Sequence, residues 1–264
     1  QAAKTDADII VMCGVHFMGE TAKILCPGKK VLVPDMAAGC SLADSCDADD
    51  FRRFVEAHPG YTVISYVNTS AAVKALTDIV VTSGNARKIV ESLPADEKII
   101  FGPDKNLGGY INSVASRDML LWQGACHVHD RFSIDKIMDL KKEHPEAKIL
   151  VHPECRRPLQ LIADKVGSTA ALLEFAEKDE APEYIVVTES GILFEMRRKC
   201  SSKRFIPAPA EDSECQCNEC DYMKLNTLEK VYAALRDEAP EIHVDPEVAA
   251  KAIRPIERML ELSV

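Results

Sequence analysis

Residues 63–86 read VISYVNTSAAVKALTDIVVTSGNA, and residues 149–172 read ILVHPECRRPLQLIADKVGSTAAL. In each stretch a strand-like apolar run is followed by a helical pattern and a second strand-like run. The stretches align when Asp78 is placed opposite Asp164, 86 residues later. Three further polar pairs share this spacing: Tyr66 with His152, Asn68 with Glu154, and Ser83 with Thr169. Such self-similarity predicts a repeated supersecondary unit.

The same spacing joins two cysteine-containing segments. GCSLAD around Cys40 and ACHVHD around Cys126 are also 86 residues apart, and a further step of 94 residues reaches Cys220. The longer step contains the insertion SECQCNEC. We therefore interpret the chain as three αβα units, called repeats below, each of which ends in one special cysteine.

Strand-like and helical segments alternate along the whole chain. Runs such as DIIVMCGV and EYIVVTES predict strands, and segments such as DDFRRFVEAHP and NTLEKVYAALRDE predict helices. This alternation is typical of βαβ connections and parallel sheets, so the predicted fold class is α/β, with the three repeats related by pseudo-threefold symmetry. The predicted divisions are the remainder of a first repeat, a second repeat, a third repeat and a C-terminal helical segment: 1–45, 46–131, 132–220 and 221–264.

The repeat also predicts sequence upstream of Gln1. In the first repeat, the counterparts of Tyr66 and Ser83 would precede the first residue, and the chain does not begin with Met. We therefore expect a fragment that lacks the N-terminal part of its first repeat. A polypeptide with these ends is expected to be inactive, so any function belongs to the intact protein.

Composition excludes several classes of protein. The 264 residues include 32 Lys and Arg against 42 Asp and Glu, a net charge of −10, which disfavours nucleic acid as the main ligand. No apolar run approaches the roughly 20 residues of a membrane span. The N-terminus QAAKTDADIIV has no signal-type pattern, so a cytoplasmic location is expected.

Ten cysteines are unusual for a chain of this kind and favour a metal site or catalysis. Thiolates from equivalent positions of three repeats would converge on the symmetry axis, and they select zinc or iron–sulfur. A structural zinc usually has four ligands in local pairs. One cysteine per repeat instead favours a [4Fe–4S] cluster held by Cys40, Cys126 and Cys220, with one iron open to a substrate oxygen. Cys215 and Cys217 could be alternative ligands, a redox pair or bystanders.

Polar residues follow equivalent predicted strands in the two complete repeats. Tyr66 and Asn68 share one face, as do His152 and Glu154, at the strand ends where α/β folds bind ligands. Ser83 and Thr169 precede helical patterns, where a hydroxyl and backbone N–H groups suit a carboxylate or phosphate; the alternative is an ordinary helix N-cap. His127 and His129 beside Cys126 are interpreted as orienting or structural residues rather than ligands.

Segments along nearly the whole chain resemble the quinolinate synthase family. The matching segments are GVHFMGETAKIL, VPDMAAGCSLAD, SYVNTSAAVKA, VTSGNA, FGPDKNLGGYI, WQGACHVHDRF, VHPEC, VGSTAAL, TESGILFEM and CNECDYMKLNTLEKV. The resemblance implies three αβα domains around a central [4Fe–4S] cluster ligated by Cys40, Cys126 and Cys220. It also implies that six residues hold iminoaspartate and its adducts: Tyr66, Asn68, Ser83, His152, Glu154 and Thr169.

The reaction implied by the resemblance condenses iminoaspartate with dihydroxyacetone phosphate to quinolinate, losing phosphate and two waters, in de novo NAD biosynthesis. L-aspartate oxidase is the expected supplier of iminoaspartate. Glu154 and Tyr66 are the candidates for proton transfer. The family's H-x-Y-Q strand and G-D-S motif are absent from this sequence. Two alternatives remain open: another [4Fe–4S]-dependent hydro-lyase, and a non-catalytic cluster- or zinc-binding redox module.

Overall fold

A computed structural model of the protein describes residues 2–211 and 218–263, so Cys215 and Cys217 lie outside the described residues. The strands are β1 (Ile9–Val11), β2 (Lys30–Leu32), β3 (Thr62–Tyr66), β4 (Ile79–Val81), β5 (Ile99–Gly102), β6 (Leu120–Leu121), β7 (Lys148–Val151), β8 (Lys165–Val166), β9 (Glu183–Val187) and β10 (Arg204–Pro207).

The helices alternate with these strands, after a short 3₁₀ turn at Ala2–Lys4. They are α1 (His16–Leu25), α2 (Ser41–Asp44), α3 (Ala48–Glu56), α4 (Ala71–Lys74), α5 (Ala86–Ser92), α6 (Lys105–Ala115), α7 (His127–Asp130), α8 (Ile134–Glu143), α9 (Arg157–Leu161), α10 (Thr169–Lys178), α11 (Ile192–Lys199), α12 (Asp221–Lys224), α13 (Leu228–Asp237) and α14 (Pro246–Leu262). No helix in the described part of the chain is long and apolar enough to span a membrane.

The strands form three parallel sheets. A two-stranded sheet pairs β1 with β2, and two four-stranded sheets have the spatial orders β6-β5-β3-β4 and β10-β9-β7-β8. The two larger sheets are therefore wound in the same way. This arrangement confirms the predicted α/β class with repeated αβα units.

The two aligned aspartates make the same contacts in their own sheets. Asp78 Oδ2 accepts the backbone N–H of Val63 at 2.8 Å, and Asp164 Oδ2 accepts that of Ile149 at 2.8 Å. In return, each aspartate donates its own backbone N–H to the carbonyl of the same strand residue at 2.9 Å. The 86-residue spacing found in the sequence is thus also a spacing of equivalent hydrogen bonds.

Side-chain caps determine where several helices begin. The Asp47 carboxylate accepts the N–H groups of Asp49 and Asp50 at the start of α3, and Asp104 accepts the N–H of Leu107 at the start of α6. Such caps satisfy backbone donors that have no partner within the helix. Strand β7, between α8 and α9, is apolar on both faces: Ile149–Val151 are buried, because helices cover both sides of a parallel sheet.

The chain divides into two compact units. The first comprises Gln1–Pro103, Asp118–Gly124 and Asp221–Val264, and the second comprises Asp104–Arg117 and Ala125–Cys220. In the first unit, α14 packs Ala252 and Ile256 against Ile24 and Val80. In the second, Phe132, Ile149 and Val187 belong to one buried cluster. The four divisions expected from the repeat follow sequence similarity rather than compactness and stay a prediction.

Candidate metal and substrate site

Each of the three candidate cysteine ligands directly precedes a four-residue helical turn. Cys40 precedes α2, Cys126 precedes α7 and Cys220 precedes α12. In the second compact unit, the backbone N–H of Cys126 donates to Asp104 Oδ2 at 3.3 Å, and that of Cys220 donates to Glu189 Oε1 at 3.2 Å. Because Asp104 follows β5 and Glu189 follows the equivalent β9, acidic side chains fix these two cysteines in the same way.

Burial separates the candidate ligands from most other cysteines. Cys40, Cys126 and Cys220 are half-buried, and Cys13 is exposed. The remaining described cysteines are buried: Cys26, Cys46, Cys155 and Cys200. Burial raises the pKa of Cys46 to about 12 and holds that of Cys155 well above its ordinary value. A metal needs the thiolate, so these two buried thiols are poor ligands.

Cys126, His129 and Glu154 form a compact donor group in the second unit. Their ligand atoms all lie within 4.8 Å of one another. His129 Nδ1 is 3.4 Å from Glu154 Oε2, and His129 Nε2 is 2.9 Å from Thr188 Oγ1. The buried Nδ1 makes no hydrogen bond within the described residues. Sulfur, imidazole and carboxylate donors together suit a transition metal or a polar ligand.

His152 completes this buried group. Its ring stacks on that of His129 with centroids 4.7 Å apart, and its Nδ1 lies 3.5 Å from Glu154 Oε1. Burial lowers the pKa of His152 to about 4, although the charge of Glu154 opposes that shift. The imidazole is therefore neutral at neutral pH and can both donate and accept a hydrogen bond.

Asp104 adds a second buried carboxyl group. Burial, and then the nearby charge of Glu154, raise the pKa of Asp104 well above its ordinary value. Hydrogen bonds from the backbone of Leu107 and Cys126 oppose that shift. Two carboxyls and two imidazoles in one buried cluster make proton exchange within the site chemically feasible.

The other residues predicted from the sequence lie at the following places. Tyr66 is buried at the last residue of β3, and Asn68 is half-buried two residues later. Ser83 is half-buried shortly before α5, and Thr169 is exposed at the first residue of α10.

The structure answers the alternative interpretation of the two hydroxyls as ordinary N-caps. The cap positions belong to Asn85 in α5 and to Ser168 in α10, and Ser168 Oγ accepts the N–H of Ala171 at 3.3 Å. Neither Ser83 nor Thr169 is therefore the capping residue of its helix.

Sequence reasoning understated His129 and did not single out Asp104 or Thr188. His129 is three residues after Cys126 on α7, a spacing that places two side chains on the same side of a helical turn. That spacing was visible in ACHVHD, but only the structure shows that His129 Nδ1 lies 3.4 Å from Glu154 Oε2.

These features indicate an α/β enzyme with a candidate metal-binding group: parallel sheets of one topology, cysteines at the starts of equivalent turns, and a buried histidine–carboxylate cluster. The family model described as quinolinate synthetase A protein (NadA) matches residues 1–261. A quinolinate synthase of Microcystis aeruginosa is 55% identical over 263 residues, which cover 100% of this chain and 82% of that protein. Quinolinate synthases of Chloroherpeton thalassium and of a Synechococcus species are each 53% identical with the same coverage. The chain belongs to the quinolinate synthase family of NAD biosynthesis, which confirms the resemblance found in the sequence.

The donor atoms fit the metal cofactor that the family and the cysteines suggest. Three half-buried thiols precede helical turns, and the buried Nδ1 of His129 has no hydrogen-bond partner within the described residues. Both observations fit a metal cofactor that is bound through Cys126 and has a coordination position open to a further ligand.

Proposed function

We propose that the protein condenses iminoaspartate with dihydroxyacetone phosphate to form quinolinate, with loss of phosphate and water. The observation that carries this proposal is the compact group of Cys126, His129 and Glu154 in a chain of this family. It combines a metal-binding thiol with a carboxylate and an imidazole at one place, as a metal-assisted dehydration requires.

The proposed cofactor is a [4Fe–4S] cluster ligated by Cys40, Cys126 and Cys220. The three thiolates would hold the cluster and leave one iron without a protein ligand, and this iron would supply Lewis-acid chemistry to a substrate oxygen. The half-burial of the three thiols supports this ligand set, because a ligand must be reachable and yet shielded from bulk water.

Glu154 is the proposed acid and base of the reaction. Its two carboxylate oxygens lie 3.4 Å from His129 Nδ1 and 3.5 Å from His152 Nδ1. A carboxylate between two imidazoles can take a proton from substrate and return it later in the sequence of dehydrations. Tyr66 is the second proposed group for proton transfer, at the end of β3.

The remaining predicted residues are proposed to bind the charged ends of the substrates. Neutral His152 is suited to a hydrogen bond with a carboxylate, and Asn68 supplies an amide. Ser83 and Thr169 offer hydroxyls near the starts of α5 and α10, where backbone N–H groups favour anions. Supply of iminoaspartate by L-aspartate oxidase, in the cytoplasm, is part of the same proposal.

Anaerobic assays of full-length protein with both substrates test the proposed reaction through Glu154→Gln. The substitution keeps the shape of the side chain but removes its proton-accepting charge, so turnover should fall by about 10²- to 10⁴-fold. Metal content should stay unchanged. Glu174→Gln, on the exposed face of α10, is the matched control and should retain full turnover.

Full turnover by Glu154→Gln with an intact cluster would remove Glu154 from the chemistry. A wild-type protein that holds the cluster but makes no quinolinate would favour the other cluster-dependent hydro-lyase. The buried histidine–carboxylate cluster argues against the non-catalytic redox module, since electron transfer does not need buried acid–base groups.

A further inference from the structure

Lys74 is a fully buried lysine whose ammonium group lies over the ring of Phe17 and donates hydrogen bonds to one loop. It is the last residue of α4, and none of its surface is exposed. Its Nζ donates to the carbonyl oxygens of Val67, at 2.8 Å, and of Thr69, and lies 3.4 Å from Thr69 Oγ1. The two carbonyls belong to the residues on either side of Asn68.

Gln160 makes the corresponding contacts in the second compact unit. It lies in α9, and its Nε2 donates to the carbonyl oxygens of Pro153 at 2.8 Å and Cys155 at 2.7 Å. These carbonyls belong to the residues on either side of Glu154. A weaker contact reaches the carbonyl of Asn106 at 3.4 Å.

The two sets of contacts occupy equivalent positions of the repeat. Donors and acceptors are each 86 residues apart: Lys74 and Gln160, Val67 and Pro153, Thr69 and Cys155. An ammonium and a primary amide have different charge but share the ability to donate to two carbonyls at once. What the repeats have in common is therefore the double donation to the loop, not the chemical identity of the side chain.

Packing alone does not explain a lysine at this place. Burying an ammonium costs far more free energy than burying an aliphatic side chain, unless its hydrogen bonds are satisfied. Burial lowers the pKa of Lys74 to about 7, against the opposing charges of Glu20 and Cys40. The neutral amine still carries N–H donors, so the loop contacts persist on either side of that pKa.

We infer that Lys74 and Gln160 are paired positioning residues that orient Asn68 and Glu154. Each fixes the two carbonyls that flank the functional residue, which fixes the backbone from which that side chain projects. The consequence for activity rests on the proposed roles of Asn68 and Glu154. The fixing of the loops itself does not depend on those roles.

Variants that differ only in their donors test this inference. Lys74→Met and Gln160→Met keep the length of the side chain and remove its donors, whereas Lys74→Gln and Gln160→Lys exchange the donors of the two repeats. Exposed Lys142→Met and Gln123→Met are the matched controls. If Lys74→Met does not fold, Gln160→Met decides the question, because Gln160 is only half-buried.

Amide hydrogen exchange measures the loops directly in the folded protein. Within its loop, the N–H of Thr69 donates to the carbonyl oxygen of Val67 at 2.8 Å, and that of Cys155 donates to the carbonyl oxygen of His152 at 3.0 Å. Exchange of these two N–H groups therefore reports loop opening. The Met variants should raise exchange about tenfold or more in residues 66–69 or 152–155, while β3 and β7 stay protected. The exchanged donors should restore most of that protection.

Steady-state kinetics separates positioning from general stability. Gln160→Met should lower kcat about 10- to 100-fold, because Glu154 acts in proton transfer, whereas Lys74→Met should mainly raise KM, because Asn68 binds substrate. Unchanged exchange and kinetics with a lower Tm would overturn the inference and leave a purely structural role. If wild-type protein makes no quinolinate, the proposed function fails and the exchange result alone decides whether the loops are held in this way.

Discussion

At the scale of single residues, His129 links the helical turn that follows Cys126 to Glu154, the proposed acid–base group. Its Nδ1 faces Glu154, its Nε2 binds Thr188 Oγ1, and its ring lies on His152. Thr188 fixes the orientation of the ring, so Nδ1 is directed toward Glu154. The sequence analysis interpreted His129 only as an orienting or structural residue, whereas this placement puts it inside the candidate site.

His129→Asn should lower quinolinate formation about 10- to 100-fold, because Glu154 loses a neighbour that can exchange protons with it. His243→Asn, at an exposed position outside the site, is the control and should leave turnover within about threefold of wild type. The measurement is kcat at saturating substrates together with iron content. Full turnover by His129→Asn with unchanged iron content would show that the His129 ring does not assist the reaction.

The pKa of His152 predicts a loss of stability in acid. Its folded-state value is about 4 against an ordinary value of 6.5. Between these values the unfolded chain binds a proton that the folded chain does not, so stability falls as the pH falls from about 6.5 to 4. The difference between the two pKa values corresponds to a loss of about 3 kcal/mol in the free energy of unfolding.

Urea unfolding of apo-protein across that pH range, compared with His152→Asn, measures this contribution. The variant should lose less stability than wild type on acidification, since the other titrating groups are common to both. Parallel losses in the two proteins would show that His152 does not carry this pH dependence.

Strands and helices could be predicted from the sequence wherever the same contact occurs in both complete repeats. Asp78 and Asp164 align in the sequence because each must accept a strand N–H 15 residues upstream. Helix starts were less predictable, since α5 begins three residues after Ser83 whereas α10 begins at Thr169 itself. Helices of four residues, such as α7 and α12, are too short for apolar periodicity to reveal.

Truncation of the aligned aspartates tests the equivalence of the two sheets. Asp78→Ala and Asp164→Ala should each lower the free energy of unfolding by about 1–3 kcal/mol, because each leaves a strand N–H without its acceptor. Asp139→Ala removes only an exposed pair with Lys142 and should cost less than about 1 kcal/mol. Clearly unequal costs at the two aligned positions would contradict the equivalence.

The sequence predicted only part of the candidate site, because some of its residues are brought together only when the chain folds. Cys126, His152 and Glu154 could be singled out because spacing marks them in both repeats or beside a cysteine motif. Asp104 could not, because its role depends on a backbone N–H 22 residues away and on burial that no local pattern records.

At the scale of the whole molecule, the proposed cluster takes one thiol from each repeat: Cys40, Cys126 and Cys220. If each is a ligand, then loss of any one should have the same consequence for the metal, although the three lie in different repeats. Substitution of a buried cysteine such as Cys200 should leave the metal content unchanged.

The most direct test is the iron and acid-labile sulfide content per chain of anaerobically purified full-length protein. We predict about four irons and four sulfides in wild type and in Cys200→Ala, and loss of the cluster in Cys40→Ala, Cys126→Ala and Cys220→Ala. Folded wild-type protein that contains zinc or no metal would contradict the proposed cofactor. So would a full cluster in all three ligand variants.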